Sequence, residues 1–562
     1  MTDSAPQSPY QAPIPPTHTH EARESVRPAR SRWPGKECWI IWLFCAAGVV
    51  GGHWMFDGFD RALPNVITLV MAFIATVSFL VWFSWRSAAS ASLRLAVPLT
   101  VIAVIVVMTG VLRIEETSGT LIPAFRFRWQ PRRDESLPPV DVAVSTGIDL
   151  KTTTTDDFPR FHGPAGVPTL PEPATPLAGD WSANPPRLVW KRPIGAGWSA
   201  FAAVNGYAVT MEQRGPDELV TCYDIQTGEP VWSHAEQTRH ETVLGGIGPR
   251  GTPTIHRGKV YAAGAHGLLR CLDGATGKLL WKYDIFAATQ NSPERDIAGV
   301  AWGRSPSPLI VDDTVVVPLG GPPGGPFVTL AAFALDSGEL KWKAGERQVS
   351  YASPVLAELA GQRQIVSMNE SSVTGHDPAT GRVLWELDWP GNSNSNATTS
   401  QPTVIASRQL LLTKGYGVGA ALFEFSDSLT NQPALGRGIQ ELWRSNRVLR
   451  TKFTSVSVYD GHAYGLNDGI LECVSLIDGK SCWKKRGFEH GQSLIVGNRL
   501  LVLGEFGEAA WIEATPEAYR ERGRIQALEG KTWAAVCLYG QKLLVRNSQE
   551  AACWNLEPAT PR

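Results

Sequence analysis

The chain repeats a short motif in which a tight turn leads into a strand that ends in tryptophan. Three copies share the longer pattern Asp-x-x-Thr-Gly-x-x-x-Trp. The glycine supplies the positive φ angle that such a turn needs, and the Asp and Thr side chains can bond nearby backbone N–H groups. Apolar residues on both sides of the turn predict a β-hairpin. The copies are GEPVW at 228–232, GKLLW at 277–281, GELKW at 338–342, GRVLW at 381–385 and GKSCW at 479–483.

A second pair of short strands is predicted upstream of each hairpin. Together the two pairs make four-strand units of roughly 40 to 60 residues, the period of propeller blades. Helical repeats of similar length are excluded, because no part of this region has a sustained 3.6-residue periodicity. Eight upstream pairs are recognisable, and they begin near Ala200, Pro253, Pro308, Pro354, Pro402, Thr454, Ser493 and Ala534.

The last unit lacks a fourth strand, because the chain ends soon after EAACWNLEP at 550–558. PRLVWKRP at 186–193 precedes the first pair and carries a Trp at the expected place, so we expect it to complete the last unit. Such closure removes the exposed strand edges. The predicted fold is therefore all-β, an eight-bladed propeller closed by its N-terminal strand. The tryptophans predicted to pack between blades are Trp190, Trp232, Trp281, Trp342, Trp385, Trp443 and Trp483.

The seventh unit departs from the pattern. Its outermost strand is predicted at 524–528, with the sequence RIQAL and no tryptophan. The preceding segment 514–523, ATPEAYRERG, is predicted to be an irregular, helical insertion.

Three apolar stretches precede the propeller, at Cys38–Phe56, Val66–Phe83 and Leu95–Leu112. A helix of about 18 residues spans roughly 27 Å, close to the hydrocarbon thickness of a bilayer. The sequence therefore predicts three transmembrane helices, and a buried helical hairpin is the alternative. The predicted domains are a disordered cytoplasmic tail (1–37), a membrane anchor (38–113), an extracytoplasmic linker with a short ordered piece around Phe125–Trp129 (114–183), and the propeller (184–558).

Basic residues favour a cytoplasmic N-terminus, because the tail and the second loop carry more of them than the first loop. Three crossings then place the propeller on the opposite side, the periplasmic side of a bacterial inner membrane. The five arginines after the third stretch weaken this orientation: Arg113, Arg126, Arg128, Arg132 and Arg133.

The hairpin motif resembles the PQQ-binding-like β-propeller repeat family over roughly residues 155–558. That superfamily includes quinoprotein alcohol dehydrogenases and BamB-like outer-membrane assembly lipoproteins. A narrower resemblance is to uncharacterised membrane-anchored bacterial members. It is carried by DFPRFHGP (157–164), DWSANPP (180–186), GWSAFAAVNG (197–206), MEQRG (211–215), GYGVG (415–419), TKFTS (451–455), EHGQ (489–492) and LEGKTW (528–533). FHGPAG stands here where FRGPNRDG is commoner in that group.

The resemblance implies two functions. The first is a non-catalytic scaffold, anchored by three helices, that binds protein or polymer of the cell envelope and needs no cofactor or metal. The alternative is a membrane-coupled dehydrogenase that uses PQQ with calcium. The chain has no adjacent Cys-Cys pair, no CxxCH and no CxxC. A net charge of −1 does not favour a nucleic-acid partner.

Eight residues are predicted to lie at or next to innermost strands, by their place in the repeat. They are candidates for a partner-binding site in the axial channel or at one of its mouths. Salt bridges between blades are the alternative role. Alanine at Arg214 or Lys452 is expected to leave folding intact and to weaken binding. The candidates are Trp198, Glu212, Arg214, Arg250, Arg304, Lys452, His490 and Lys531.

Overall fold

A computed structural model describes residues 30–56, 61–140, 147–393, 396–426 and 438–558. Most of the tail predicted to be disordered, residues 1–29, lies outside the described residues. The chain divides into two compact units. One contains the described residues 30–47 together with 70–106. The other contains residues 48–69 and 107–562 with their gaps, and it includes the propeller.

Three helices follow the tail: α1 (Lys36–Phe56), α2 (Ala62–Arg86) and α3 (Ala91–Val111). Each is long and apolar enough to cross a membrane. Within the first unit, the Trp42 indole donates a hydrogen bond to Ser78 Oγ at 2.9 Å, which joins α1 to α2. The prediction of three apolar helices ahead of the propeller is confirmed.

The propeller consists of eight blades, each an antiparallel sheet with four meander strands. The innermost strands of neighbouring blades contact one another, so these strands surround the axis. In blade order the innermost strands are Ala202–Val204, Thr254–His256, Leu309–Val311, Val355–Leu359, Thr403–Ile405, Ser457–Tyr459, Gln492–Val496 and Cys537–Tyr539. The second strands are Tyr207–Arg214, Lys259–Ala263, Thr314–Gly320, Gln362–Met368, Gln409–Lys414, His462–Asn467, Arg499–Leu503 and Lys542–Arg546.

The outer halves of blades 1 to 4 and 6 carry the hairpin motif seen in the sequence. The third strands are Asp217–Asp224, Leu268–Asp273, Val328–Ala334, Ser372–His376, Gly419–Phe425, Ile470–Ser475, Glu508–Glu513 and Glu550–Asn555. The outermost strands are Pro230–Glu236, Leu279–Asp284, Leu340–Ala344, Val383–Asp388, Ile439–Ser445, Ser481–Lys485, Glu521–Gln526 and, for blade 8, Arg187–Pro193.

Blade 8 joins the two ends of the propeller sequence. Arg187–Pro193 pairs antiparallel with Glu550–Asn555, and Trp190 lies opposite Cys553. The last blade therefore has its full set of four strands. The predicted eight-bladed ring with N-terminal strand closure is confirmed.

The repeated tryptophan packs on the repeated glycine of the next blade. All seven predicted tryptophans lie on outermost strands. A Cβ atom on Gly228 would lie 2.5 Å from the Trp190 ring, and one on Gly277 would lie 2.6 Å from the Trp232 ring. Both glycines have φ of +71°. The Trp232 indole also donates to the Gly274 carbonyl at 2.9 Å. At five blade interfaces the motif therefore connects a blade to its neighbour as well as forming a turn.

Blade 7 has no tryptophan on its outermost strand and uses a different aromatic contact. Trp181, from the segment before the ring, stacks on Trp511 at 5.3 Å between ring centres. The prediction of a helical insertion at 514–523 is wrong: residues 514–520 are irregular, and the outermost strand begins at Glu521. Pro516 interrupts helical hydrogen bonding. Tyr519 packs instead against Trp483, with 5.8 Å between the ring centres.

Much of the predicted linker has structure of its own. Strands Leu112–Thr117 and Pro123–Phe127 form a hairpin. Thr169–Leu170 pairs parallel with the innermost strand of blade 7. Phe158 is buried in the core between blades 1 and 8, because its apolar ring gains by leaving water.

Other elements outside the blades lie in the connections around blade 2. Glu241–Thr242 pairs with Gly246–Ile247 before that blade. Short helices at Ile285–Thr289 and Pro293–Gly299 follow it.

Gly277→Ala should destabilise the propeller more than Gly206→Ala. Both residues have positive φ, which costs alanine about 1–2 kcal/mol. Only Gly277 abuts a tryptophan, since a Cβ at Gly206 would meet nothing within 4 Å. We expect overpacking to cost Gly277→Ala about 1–3 kcal/mol more. Thermal unfolding of both variants measures this difference, and equal losses would contradict the packing role of the motif.

Candidate functional site

Loops from all eight blades line an axial cavity of about 260 Å³ at one end of the ring. Most of these loops lead into the innermost strands, so the blade repeat itself brings them to the axis. One lining residue from each blade, in order, is Trp198, Arg250, Ser307, Tyr351, Thr399, Lys452, Gln492 and Trp533.

Hydroxyl groups tie neighbouring loops together beneath the cavity. The Thr252 hydroxyl accepts from Ala200 N–H at 3.2 Å, and Thr252 N–H donates to Ser307 Oγ at 3.0 Å. Ser307 N–H in turn donates to Ser353 Oγ at 2.8 Å. Each buried N–H thereby finds its partner in the following blade, which fixes the cavity wall.

Aromatic side chains form two clusters in the cavity wall. In blades 3 to 5, the Trp302 ring lies 5.1 Å from Tyr351 and 5.9 Å from Tyr416. In the other half of the ring, Trp533 lies 5.1 Å from Trp198 and 4.5 Å from Phe453. Such faces suit an apolar or planar group between them.

Two lysines are held against these aromatic rings. Lys531 Nζ lies 4.2 Å from the centre of Trp533 and 4.8 Å from that of Trp198. Lys452 Nζ lies 5.3 Å from the centre of Tyr416 and 2.8 Å from Asp468 Oδ1. Lys452 and Asp468 are both buried, so this ion pair compensates two charges that water does not reach.

Arg250 provides the remaining positive charge of the cavity wall. Its guanidinium donates to the carbonyls of Gly245, at 2.7 Å, and of Gly246, at 3.1 Å. Within the described part of the chain, no carboxylate lies within ion-pair distance of it. Burial lowers the pKa of Arg250 to about 10, which leaves it charged at neutral pH. The cavity therefore contains a cation whose charge is not neutralised by an adjacent carboxylate.

The hairpin that follows α3 forms one wall of the cavity through its tip, Thr117–Leu121. Gly119 N–H donates to Glu505 Oε1 at 2.6 Å, and Lys531 donates to the Thr117 carbonyl at 3.1 Å. A Cβ on Gly119 would lie 2.2 Å from His490, so only glycine fits here.

The start of α2 reaches the same wall. Ala62 lines the cavity. Arg61 donates through its backbone N–H to Asp468 and through its side chain to Glu489, both at 2.7 Å.

Three of the eight candidate residues line the cavity: Trp198, Arg250 and Lys452. Lys531 and His490 contact residues of the cavity wall: Lys531 packs on Trp533, and His490 packs on Phe453. The other three do not line it. Glu212 is buried in blade 1 beside Arg214, at 3.3 Å, and also accepts from Tyr223 at 2.8 Å.

Arg304 has a structural role, but within the connection between blades 2 and 3 and not as a salt bridge between two blades. It forms an ion pair with Asp296 of the helix Pro293–Gly299 at 2.7 Å, and both groups are buried. The expectation that alanine at Arg214 or Lys452 leaves folding intact is also revised. Lys452→Ala would remove the lysine that pairs with Asp468, and Arg214→Ala would remove the arginine that pairs with Glu212. Breaking such a buried pair typically costs about 3–5 kcal/mol.

Six aromatic residues of the cavity were not among the sequence candidates: Phe161, Trp302, Tyr351, Tyr416, Phe453 and Trp533. A usable signal was present, because Tyr416 lies in GYGVG, Phe453 in TKFTS and Trp533 in LEGKTW. These segments stand just before an innermost strand or between second and third strands. In this propeller both kinds of loop emerge at the end of the ring that carries the cavity.

The cavity fits PQQ only in part. Aromatic faces and Arg250 suit a planar, carboxylate-bearing quinone. A calcium ion would need several oxygen ligands. In the described ranges no cluster of three or more His, Cys, Asp or Glu could hold a metal ion. Glu505, the carboxylate beside the aromatic wall, already accepts from Gly119 N–H and the Trp533 indole, at 2.6 and 3.1 Å. The donor set therefore does not fit a quinone–calcium centre.

These features define a β-propeller with an axial cavity, preceded by three membrane-competent helices. The family described as outer membrane protein assembly factor BamB matches residues 216–485. This match confirms the resemblance of the propeller to the PQQ-like β-propeller repeat family that the sequence predicted.

Individual relatives are distant. BamB of Moranella endobia is 21% identical over 45% of this chain and 61% of its own length. The quinoprotein alcohol dehydrogenase PedH of Pseudomonas putida is 25% identical over 32% of this chain and 29% of its own. The matched part thus spans less than two thirds of either relative. The crystal structure of BamB from Moraxella catarrhalis gives a TM-score of 0.45 at 15% identity, over 66% of this chain and 99% of that one.

Acid should destabilise the propeller partly through His490. Burial lowers the pKa of His490 to about 3, whereas an unfolded histidine titrates near 6.5. The histidine's contribution is complete above about pH 6.5 and is lost as the pH falls towards 3, because only the unfolded chain takes up the proton. The slope is about 1.4 kcal/mol per pH unit.

Unfolding free energies measured from pH 7 to 4 test this expectation. His490→Gln should show a shallower loss of stability than the unsubstituted protein. Identical slopes for the His490 variant and the unsubstituted protein would contradict a neutral, buried His490.

Proposed function

We propose that this protein is a membrane-anchored, non-catalytic binding protein of the bacterial cell envelope, which captures its partner through the axial cavity of the propeller. The three helices would anchor it in the inner membrane. The propeller would stand on the periplasmic side, as the distribution of basic residues around the helices favours. An envelope role is supported by the similarity to BamB, whose name describes it as an outer membrane protein assembly factor.

The observation that carries the proposal is a charged Arg250 in an aromatic cavity, where no carboxylate among the described residues lies within ion-pair distance of it. Such a cation binds an anionic group with strong, charge-assisted hydrogen bonds. The aromatic clusters would hold the apolar or planar body to which that group is attached. A volume of about 260 Å³ suits a small molecule, or one side chain or end group of a protein or polymer.

The chemistry of the remaining lining residues supports binding without reaction. Hydroxyls, amides and aromatic rings predominate, and Lys452 is engaged by Asp468. Burial raises the pKa of Glu505, the nearby carboxylate, and its oxygens accept hydrogen bonds from the hairpin tip and Trp533. A general base needs a free acceptor within reach of its substrate. Glu505 is not placed as one.

A PQQ-dependent dehydrogenase is the second candidate. It is favoured by the axial, aromatic position of the cavity and by the similarity to PedH, named a quinoprotein alcohol dehydrogenase. The two candidates differ in calcium dependence and in electron transfer, so a single titration separates them.

Adding PQQ to the purified full-length protein, with and without Ca²⁺, tests both functions. PQQ serves as a planar, aromatic carboxylate probe of the cavity. We expect binding that does not depend on Ca²⁺ and no reduction of an electron-accepting dye with alcohols. Arg250→Met should weaken binding about 10- to 100-fold, because a charged hydrogen-bond partner is lost. Arg257→Met, at an exposed ion pair with Asp313, is the matched control.

Ca²⁺-dependent binding with dye reduction would overturn the non-catalytic proposal in favour of the dehydrogenase. Binding that is equally strong in the Arg250 and Arg257 variants would contradict the assignment of the site.

A further inference from the structure

The hairpin after α3 has one polar face and one apolar face. Ile114 lies opposite Phe125, and Leu112 lies opposite Phe127. Phe127 also stacks on Trp129 at 4.6 Å with an interplanar angle of 13°. Since side chains alternate along a strand, these residues share one side of the two-stranded sheet.

The apolar face is left uncovered by the rest of the described chain. Phe125 is 60% exposed, Trp129 68% and Ile114 50%. A patch of contiguous exposed aromatic and aliphatic groups on a soluble surface marks an interaction site. Exposure of this kind would be unfavourable if the face pointed into water.

Ion pairs within the hairpin stabilise its polar face, and the tip holds the hairpin in place. Glu115 pairs with Arg113 at 3.1 Å and with Arg126 at 3.3 Å. The tip is fixed to the propeller by the bonds to Glu505 and Lys531 described above. The hairpin is therefore anchored on one side and cannot turn its apolar face inward without breaking these contacts.

Chain continuity indicates what covers the apolar face. The hairpin begins at Leu112, immediately after α3 ends at Val111. Arg128 folds back onto this junction and donates to the carbonyls of Thr109 and Leu112, both at 3.0 Å. An aromatic-rich segment at the end of a membrane-competent helix lies where tryptophan is favoured, at the boundary between headgroups and acyl chains.

We infer that this hairpin is an interfacial membrane contact, whose face formed by Ile114, Phe125, Phe127 and Trp129 is covered by the lipid of the bilayer that α3 crosses. This inference rests on the proposed membrane anchoring. Because the same hairpin supplies Thr117–Leu121 to the cavity wall, lipid contact would hold that wall close to the membrane surface.

Fluorescence quenching by lipid tests the contact in the full-length protein. Single cysteines at Phe125, Ile102 and Ile477 would be labelled with an environment-sensitive dye, in a Cys482→Ser background because Cys482 is the exposed native cysteine among the described residues. The protein is reconstituted in bilayer nanodiscs that carry nitroxide either near the headgroup or deep in the acyl chain. Ile102 reports the middle of α3, and Ile477, 91% exposed in a blade 6 turn, reports the aqueous end of the propeller.

We expect the label at Phe125 to be quenched about twofold or more, and more strongly by the shallow nitroxide, because an interfacial element inserts roughly 5–10 Å. The label at Ile102 should be quenched by the deep nitroxide, and the label at Ile477 by neither. Quenching at Ile102 with none at Phe125 would overturn the hairpin contact while sparing the anchor. No quenching at Ile102 would overturn the membrane anchoring and the hairpin contact with it.

Discussion

The contact between a tryptophan of one blade and a turn glycine of the next is the constraint on which the propeller depends. At Gly228 and Gly277 the indole lies where any Cβ atom would clash, and the same glycines need positive φ. One residue type therefore satisfies a backbone requirement and a packing requirement at once. Because most blades pack this tryptophan against the next blade, an isolated blade would lose that burial, and closure of the ring by Arg187–Pro193 supplies Trp190 for the last blade.

Ring geometry in turn creates the candidate site. Short innermost strands bring the preceding loop of every blade to the axis, and hydroxyls such as those of Thr252 and Ser307 join one loop to the next. Aromatic side chains and Arg250 on these loops then face a common cavity. The tip of the hairpin after α3 forms part of its wall. The candidate site is thus built from the loops between blade strands and from the hairpin that follows α3.

The sequence predicted the fold closely because the repeat reports local and inter-blade packing in every copy. Blade number and closure through Trp190 follow from the repeat, and the three helices follow from three long apolar stretches. The site was predicted less well. Position in the repeat correctly predicted that Trp198, Arg250 and Lys452 lie at the cavity. It does not predict whether a charged side chain near the axis forms an ion pair within the protein, as Arg304 does with Asp296. The hairpin after α3 was assigned to a linker, because its contact with the propeller depends on residues far apart in sequence, such as Gly119 and Glu505.

Site-directed photocrosslinking in native membranes tests the central claim, that the partner is captured at the cavity end of the propeller. A photoreactive residue at Leu244, which lines the cavity and is 46% exposed, is compared with one at Ile477 in a turn at the other end of the blades. We predict a discrete adduct from Leu244 that Arg250→Met diminishes, and none from Ile477. Adducts from Ile477 alone, or adducts from Leu244 that do not depend on Arg250, would contradict the account.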